Sequence, residues 1–163
     1  MDDPSKPVVD LEPIGPGDFD RMLHIRVAPR QEKFSGTIQQ AFRLNEAQVD
    51  FHAICSGGRA VGFFKVDHGY SRTHAFAHLG EPGIRAFMID RQMQGQGLAT
   101  AAIQALPVYL RRQYPEAGSV VLTVNMINRA AVRAYRKGGF VDTGDIHEGG
   151  QAGAQLVMRM QLS

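Results

Sequence analysis

The sequence predicts a mixed α/β (α+β) domain in which helices flank one central, mostly antiparallel sheet. Strand-like apolar stretches, of which 84–90 and 119–125 are the clearest, alternate with the helix-like stretches 98–113 and 128–140. Along the chain the order is strand, two helices, three or four strands, helix, strand, helix and two strands. This order is typical of a single sheet with packed helices, and we expect about six or seven strands and about four helices.

The N-terminal part of the chain begins with a segment, residues 1–7, that contains two prolines and two acids and is expected to be a flexible lead-in. The stretch 8–14 alternates enough to form a short strand. Asp18 precedes an apolar run and is a candidate N-cap for a first helix. Pro29 then interrupts the pattern, and 37–47 has the spacing of a second short helix.

Strand signals dominate the middle of the chain. The apolar runs 51–55 and 59–68 are separated by a Gly-Gly pair at 57–58, which is a β-hairpin signal. The stretch 75–79 is a weaker strand candidate. The stretch 84–90 is the next strand, and it leads directly into the glycines discussed below.

A long helix is predicted over 98–113, where small and apolar residues recur at helical spacing. Pro107 lies inside it, and we expect this proline to kink the helix or to break it into two pieces, because proline removes a backbone donor. The β-branched stretch 119–125 follows as a strand.

The last helix is predicted over 128–140, with Asn128 as its N-cap and the Gly-Gly pair at 138–139 as a left-handed C-terminal cap. Two strands, 141–146 and 154–160, then end the domain, with a Gly-Gly pair at 149–150 in the turn between them. The prediction is therefore one domain over 8–163.

Bulk composition excludes several function classes. The net charge is only +2, with 18 basic and 16 acidic residues, which does not suggest a nucleic-acid footprint. No stretch approaches the roughly 18 apolar residues of a membrane span, and the N-terminus lacks the pattern of a signal peptide. The single cysteine, Cys55, fits a reducing compartment. We expect a soluble cytoplasmic protein that binds neither nucleic acid nor membrane.

The stretch Gln94-Gly95-Gln96-Gly97-Leu98-Ala99 joins a predicted strand to a predicted helix. Backbone N–H groups at a helix N-terminus form an anion site, and glycines allow positive φ and close approach of a phosphate. No lysine follows the glycines, which excludes a nucleoside-triphosphate loop, and the third glycine of a dinucleotide fingerprint is absent. The alternative interpretation is a plain strand-to-helix turn.

This glycine loop resembles the Gln/Arg-x-x-Gly-x-Gly/Ala signature of the GNAT family of N-acetyltransferases, which cradles the pyrophosphate of acetyl-CoA. About 30 residues later, TVNMINRAAVRAYRKGGF resembles the second conserved block of that family. The resemblance implies two splayed strands that form the acetyl-CoA slot. Within the family the chain is most similar to bacterial diamine and spermidine acetyltransferases, on the stretches APRQEKF, FMID and GFVDTGDI.

The resemblance also implies how acetyl-CoA binds. Backbone amides of the glycine loop would hold the pyrophosphate, the strand that ends in Asp90 would pair with the pantetheine amides, and the backbone N–H of Phe87 or Met88 would donate to the oxyanion. The expected acetyl-CoA contacts are Phe87, Met88, Ile89, Gln94, Gly95, Gln96, Gly97, Leu98, Ala99, Thr100, Asn125, Asn128 and Tyr135.

Three polar residues carry the predicted roles of the second block. Tyr135 resembles the tyrosine that protonates the departing CoA sulfur, and the alternative is a core aromatic. Asn128 resembles the asparagine that contacts the pantetheine arm, a role that is compatible with N-capping. Asn125 is a weaker candidate for the same neighbourhood.

A general base is needed as well, because a free amine is mostly ammonium at neutral pH. Glu81 is the predicted base and His78 is an alternative. Cys55 could be imagined as an acyl-carrying nucleophile, but a buried apolar role fits it better. His74 and His78 have the i, i+4 spacing of metal ligands but fall in a predicted strand, so no metal site is expected.

The predicted function is direct acetyl transfer, in a ternary complex, from acetyl-CoA to a primary amine of a small molecule, with a polyamine as the first acceptor. One alternative places a protein N-terminus or a lysine in the acceptor slot. The other is a non-catalytic acyl-CoA-binding sensor. Many relatives form dimers through their last strands, so a homodimer is expected.

Overall fold

The computed structural model describes residues 6–150 and 152–162, and within them the chain forms seven strands and five α-helices. The strands are β1 (Asp10–Ile14), β2 (Val49–Ser56), β3 (Arg59–Asp67), β4 (Gly83–Ile89), β5 (Ser119–Asn125), β6 (Val141–His147) and β7 (Gln155–Gln161). The helices are α1 (Phe19–Met22), α2 (Glu32–Ser35), α3 (Ile38–Arg43), α4 (Leu98–Gln113) and α5 (Arg129–Gly138). Short 3₁₀ turns lie at Pro16–Asp18, Pro29–Gln31, Tyr70–Arg72 and Arg91–Met93.

All seven strands belong to one sheet, in the order β1-β2-β3-β4-β5-β7-β6. Every neighbouring pair is antiparallel except β4 and β5, which are parallel. The predicted mixed α/β architecture is confirmed. The first five residues of the expected flexible lead-in lie outside the described residues. No helix in the described ranges is both long enough and apolar enough to cross a membrane.

Two of the three turn signals that rest on glycine pairs are confirmed by left-handed glycines. Gly57 and Gly58 adopt φ of 59° and 78° and join β2 to β3 as a hairpin. Gly139 adopts φ of 117° at the end of α5, where its N–H bonds the carbonyls of Tyr135 and Arg136. A left-handed residue at this place satisfies carbonyls that the helix end would otherwise leave unpaired.

Three local predictions are wrong or incomplete. Helix α4 runs through Pro107 as a single element, because its buried apolar face packs against the sheet on both sides of the proline. The stretch 75–79 is a loop, since β3 pairs directly with β4 and leaves no place for a strand between them. At the start of α5, the Asn128 side chain makes no capping hydrogen bond with any described residue.

The β4 strand carries a bulge. Met88 lies opposite Phe63 and Arg85 opposite Lys65, so that Ala86 and Phe87 together face one residue of β3. Ala86 has a positive φ of 54°, which is uncommon for a residue with a Cβ atom.

Strands β4 and β5 pair at one position only, Gly83 with Val121, and then diverge. On its other side β5 is fully paired with β7, from Ser119 to Asn125. The splayed strands that the family resemblance implied are therefore confirmed, and they open a gap inside the sheet.

Two apolar cores lie on the two faces of the sheet. On one face α4 and α5 bury Leu98, Ile103, Leu106, Leu110, Val132 and Tyr135 against the strands. On the opposite face the segment containing α1, α2 and α3 buries Met22, Ile25, Ile38, Phe63 and Met88. The gap between β4 and β5 thus joins two differently built surfaces.

A buried histidine ties the C-terminal end of α4 to β2. The Tyr114 hydroxyl donates to Asp50 (2.6 Å), so it accepts from Nε2 of His52 (3.0 Å), and Nδ1 of His52 accepts from Tyr109 (2.6 Å). Neutral His52 therefore has both ring nitrogens satisfied while only 1% exposed. Burial lowers the pKa of His52 from 6.5 to about 4.

We expect this histidine to make stability pH-dependent. The unfolded imidazole binds a proton near pH 6.5 and the native one near pH 4. The free energy of unfolding therefore decreases, and the protein becomes less stable, as pH falls through this window. The full loss is about 3 kcal/mol at 1.36 kcal/mol per pKa unit. Urea unfolding at several pH values measures it. His52→Gln cannot titrate, and an equal slope in this variant and in the wild type would refute the assignment.

Candidate active site

The gap between β4 and β5 opens into a cleft of about 830 Å³ that runs through the sheet. From the α4–α5 face it is lined by Leu98, Ile103, Asn128, Ala131 and Tyr135. From the opposite face it is lined by Tyr70, His74 and His147, together with Lys33, Phe34 and Ser35 of α2. Because two faces meet in one cleft, two molecules can approach the same point from opposite sides.

The glycine loop lies at one end of this cleft. Gly95 and Gly97 both have φ of 81°, which confirms the predicted positive values, and Gly97 immediately precedes α4. The first N–H groups of a helix have no intrahelical partner, so those of Leu98, Ala99 and Thr100 are available to an anion. The 16-residue helix adds a positive dipole end at this point.

The side chain of Gln94 fixes the loop. Its Nε2 donates to the carbonyl oxygen of Ile89 at 2.8 Å, and its amide also pairs with the amide of Gln31. The loop is thereby bound to the end of β4 and to the 3₁₀ turn before α2. Gln94, Gly95, Gly97, Leu98, Ala99 and Thr100 all line the cleft, whereas Gln96 does not.

The β4 wall of the cleft includes Phe87, Met88 and Ile89, the three strand residues that the family resemblance places along the pantetheine arm. The bulge sets Ala86 and Phe87 out of register with β3, and β4 has no partner strand on the cleft side beyond Gly83. Backbone donors and acceptors on this side of β4 are therefore open to a ligand.

Tyr135 lies on α5 with its ring against Phe87 and Phe140, at centroid distances of 5.8 and 5.6 Å. It lines the cleft although only 8% of its surface is exposed. Burial raises the pKa of the phenol above its ordinary value of 10, so the hydroxyl keeps its proton at neutral pH. Tyr135 is therefore a core aromatic that also lines the cleft.

The two asparagines of the second block differ. Both Asn125 and Asn128 line the cleft, and the amide of Asn128 is not used for capping by the described chain. Asn125 donates from Nδ2 to the Ala152 carbonyl at 2.9 Å and accepts from the Ile127 N–H at 3.0 Å. The polar atoms of Asn125 already hold the loops beside the cleft, which argues against its predicted role as a ligand contact.

Glu81 does not line the cleft, and its environment contradicts the predicted role of general base. Its carboxylate is 3% exposed and accepts from Nε and Nη2 of Arg159 at 2.7 and 3.0 Å, and also from the Ser119 hydroxyl and the His78 N–H. Burial alone raises the pKa of Glu81, but these hydrogen bonds hold it below the ordinary value. A carboxylate with a lowered pKa and four bonded donors is a poor base.

The other sequence candidates also lie outside the cleft. The His78 side chain is 65% exposed beside Glu81. Cys55 is buried on β2, and burial raises the pKa of its thiol, which disfavours a nucleophilic thiolate. Within residues 6–150 and 152–162, no group of three or more His, Cys, Asp or Glu is arranged to hold a metal ion.

Sequence reasoning assigned no role in the cleft to three residues that line it from the face opposite Tyr135: Tyr70, His74 and His147. His74 stacks on Tyr70 with ring centroids 3.7 Å apart, and His147 lies 5.8 Å from His74. The i, i+4 spacing of Tyr70 and His74 around a 3₁₀ turn was the available signal, and the incorrect strand prediction at 75–79 hid it.

The carboxylates near Tyr70 and His74 already form ion pairs with basic side chains. The Arg85 guanidinium lies 2.9 Å from Glu46 and 3.2 Å from Asp67, and the Lys65 ammonium lies 3.7 Å from Glu46. Among the described residues that line the cleft there is no Asp or Glu, whereas Lys33 and Arg85 contribute positive charge.

Solved structures of the same fold come from several acetyltransferases. An aminoglycoside acetyltransferase, AAC(6')-Ib, in complex with paromomycin and acetyl-CoA is 19% identical, with a TM-score of 0.75 over 94% of this chain and 93% of that one. A spermidine N-acetyltransferase SpeG chimera, from Vibrio cholerae and hSSAT, is 17% identical, with a TM-score of 0.67 over 94% and 95%. The GNAT domain of S. lividans PAT is 16% identical, with a TM-score of 0.68 over 93% and 89%.

At these identities the structural similarity shows the fold, and it agrees with the splayed sheet described above. No curated protein sequence matches the chain. The family model of the acetyltransferase (GNAT) family matches residues 19–140, which is most of the chain. The chain therefore belongs to the GNAT family of acetyltransferases.

Proposed function

We propose that the protein is an acetyl-CoA-dependent N-acetyltransferase that transfers an acetyl group directly to a primary amine of a small molecule. The observation that carries this proposal is the cleft through the sheet between β4 and β5, with the glycine loop at one end and Tyr135 on its wall. Structures similar to this one hold acetyl-CoA or coenzyme A, which supports the choice of donor.

Acetyl-CoA would bind from the α4–α5 face. Its pyrophosphate would accept hydrogen bonds from the first N–H groups of α4, where the helix dipole favours negative charge. The pantetheine arm would lie along the unpaired side of β4, beside Phe87, Met88 and Ile89. The Asn128 side chain, which caps nothing among the described residues, would be available to one of its amides.

Chemistry would then occur where the two faces of the sheet meet. The amine attacks the thioester carbonyl, and the resulting oxyanion accepts a hydrogen bond from the backbone N–H of Phe87 or Met88 at the bulge. The carbon–sulfur bond breaks, and the Tyr135 phenol protonates the leaving sulfur. Burial keeps this phenol protonated at neutral pH, as a general acid requires.

A polyamine is the first acceptor to test, since a spermidine acetyltransferase chimera and an aminoglycoside acetyltransferase, both named for polycationic acceptors, share this fold. The charge of the cleft favours a second candidate, an amine with a single positive charge. The described lining contains no carboxylate for additional ammonium groups, and Glu46 and Asp67, which lie outside that lining, are bound by Arg85.

Calorimetric titration with acetyl-CoA, followed by thiol release with a panel of amines, tests the proposal. The panel holds spermidine, spermine, putrescine, monoamines, amino acids, aminoglycosides and lysine-containing peptides. Tight binding with turnover on a small amine supports the proposal. Turnover on peptides only would indicate a protein acetyltransferase, and binding without any turnover would indicate a sensor. Absence of binding would refute the donor assignment.

We expect Gly97→Asp to weaken acetyl-CoA binding by at least about 100-fold, because two like charges about 4 Å apart repel by about 4 kcal/mol near a protein surface. A Cβ atom at this position would lie 3.7 Å from Pro7, an ordinary contact, but the φ of 81° strains any residue that carries a Cβ atom. Gly97→Asn is the matched control, since both residues tolerate the left-handed conformation. Equal affinity of the two variants in calorimetry would contradict the loop assignment.

Tyr135→Phe should leave acetyl-CoA affinity unchanged and lower kcat by about 10²- to 10⁴-fold, the usual contribution of a general acid. The substitution removes the hydroxyl and keeps the ring that packs against Phe87 and Phe140. Tyr109→Phe, which removes a hydroxyl from the His52 network outside the cleft, is the control and should keep kcat. Full turnover by Tyr135→Phe would remove this residue from the mechanism.

A further inference from the structure

We propose that His74 is the general base of the acceptor site, with its Nε2 atom receiving the proton that the acceptor ammonium must lose. This assignment rests on the proposed function, because it concerns the amine that enters the same cleft. It replaces Glu81, whose carboxylate is occupied by Arg159 and Ser119 outside the cleft.

The first argument for this assignment is the position of His74. The Tyr70 ring lies against Gly83 so closely that a Cβ on that glycine would have no room, and Gly83 is the point where β4 and β5 part. The His74 ring stacks on Tyr70 at 3.7 Å, nearly parallel to it at 5°. His74 therefore lies within the thickness of one ring from the closed end of the gap, on the face opposite Tyr135.

The hydrogen bonds of His74 indicate which of its ring nitrogens carries the proton in the neutral form. Nδ1 lies 3.2 Å from the carbonyl oxygen of Tyr70, which can only accept, and 2.9 Å from the Thr73 hydroxyl, which itself donates to the same carbonyl at 3.3 Å. We assign the proton of the neutral ring to Nδ1, because the Tyr70 carbonyl can only accept and the Thr73 hydroxyl is placed to donate to the same carbonyl. The lone pair of the neutral ring is then on Nε2, the atom that a base needs.

Burial, more than the charges around it, keeps the His74 ring neutral. Charged and titratable groups face it from each neighbouring element: Asp67 on β3, Arg85 on β4, His147 on β6, Tyr70 in its own loop, and Glu46 across an adjoining cavity. Arg85 is neutralised by Glu46 and Asp67. Burial lowers the pKa of His74 below 6.5, so the base form dominates at neutral pH.

The proton balance of the reaction is complete with these two groups. The ammonium transfers one proton to Nε2 of His74, and the free amine forms a carbon–nitrogen bond with the thioester carbon. As the carbon–sulfur bond breaks, sulfur takes the Tyr135 proton, and the second proton lost by nitrogen restores the phenol. His74 releases its proton to solvent, so the products are the amide, the free thiol of CoA and one proton.

The test is the pH profile of kcat/KM for the panel amine with the highest turnover, measured on the full chain. The wild type should show a low-pH limb below 6.5, where His74 is protonated, and a plateau above it. His74→Asn keeps an amide donor for the Tyr70 carbonyl but has no base. We expect kcat/KM to fall about 10²- to 10⁴-fold at neutral pH, and to rise with pH toward the amine pKa near 10.

Matched histidine variants make the result specific. His68→Asn alters an exposed histidine outside the cleft and should keep the wild-type profile. His147→Asn alters the neighbouring ring and should keep the low-pH limb. Circular dichroism and acetyl-CoA calorimetry verify that each variant is folded, and His74→Gln replaces His74→Asn if the latter does not fold.

The outcomes separate the two proposals. The assignment is supported if the low-pH limb of kcat/KM disappears in the His74 variant but is kept in the His68 and His147 variants. If amines are acetylated but the His74 variant keeps both its rate and its limb, or if the limb disappears with His147→Asn instead, His74 is not the base although the enzyme proposal stands. If the wild type acetylates no amine in the panel, the proposed function fails and the assignment fails with it.

Discussion

Strands β4 and β5 touch at Gly83 and Val121 and separate beyond that point, and a buried carboxylate holds their touching ends together. Glu81, just before β4, accepts hydrogen bonds from Ser119 at the start of β5 and from Arg159 on β7. Removing one partner of a buried ion pair leaves an uncompensated charge, which is strongly destabilising. The ion pair therefore keeps the gap closed at one end, while the bulge at Ala86 and the divergence of the strands open the other.

The closed end at Gly83 also determines where the side chains proposed for catalysis lie in the cleft. Phe87, Met88 and Ile89 line the cleft between the closed end and the glycine loop, so in the proposed function a thioester bound along them would reach the region near the bulge. Tyr135 approaches from the α4–α5 face, and His74 from the other, where Tyr70 supports it against Gly83. In the proposed mechanism, a proton donor and a proton acceptor on opposite faces of one sheet suit a reaction that joins two substrates.

Several polar groups that look chemical in the sequence are structural in the fold. Glu81 joins three strands, Asn125 holds two loops, and His52 joins α4 to β2 through two tyrosines. Each is buried and fully hydrogen-bonded, which is the condition under which a polar side chain contributes to stability. His74 differs, because it lines the cleft and only its Nδ1 has a hydrogen-bond partner within the described chain.

The sequence by itself determined the features that depend on neighbouring residues: the hairpin at Gly57 and Gly58, the left-handed loop before α4, and the cap at Gly139. It also identified the family, since the glycine loop and the second block are contiguous motifs. The tertiary structure alone decided which titratable groups face the cleft. Glu81 and Arg159 are 78 residues apart, and His74 lies in a loop without periodicity. Their roles depend on strand pairing across the sheet, which local patterns do not encode.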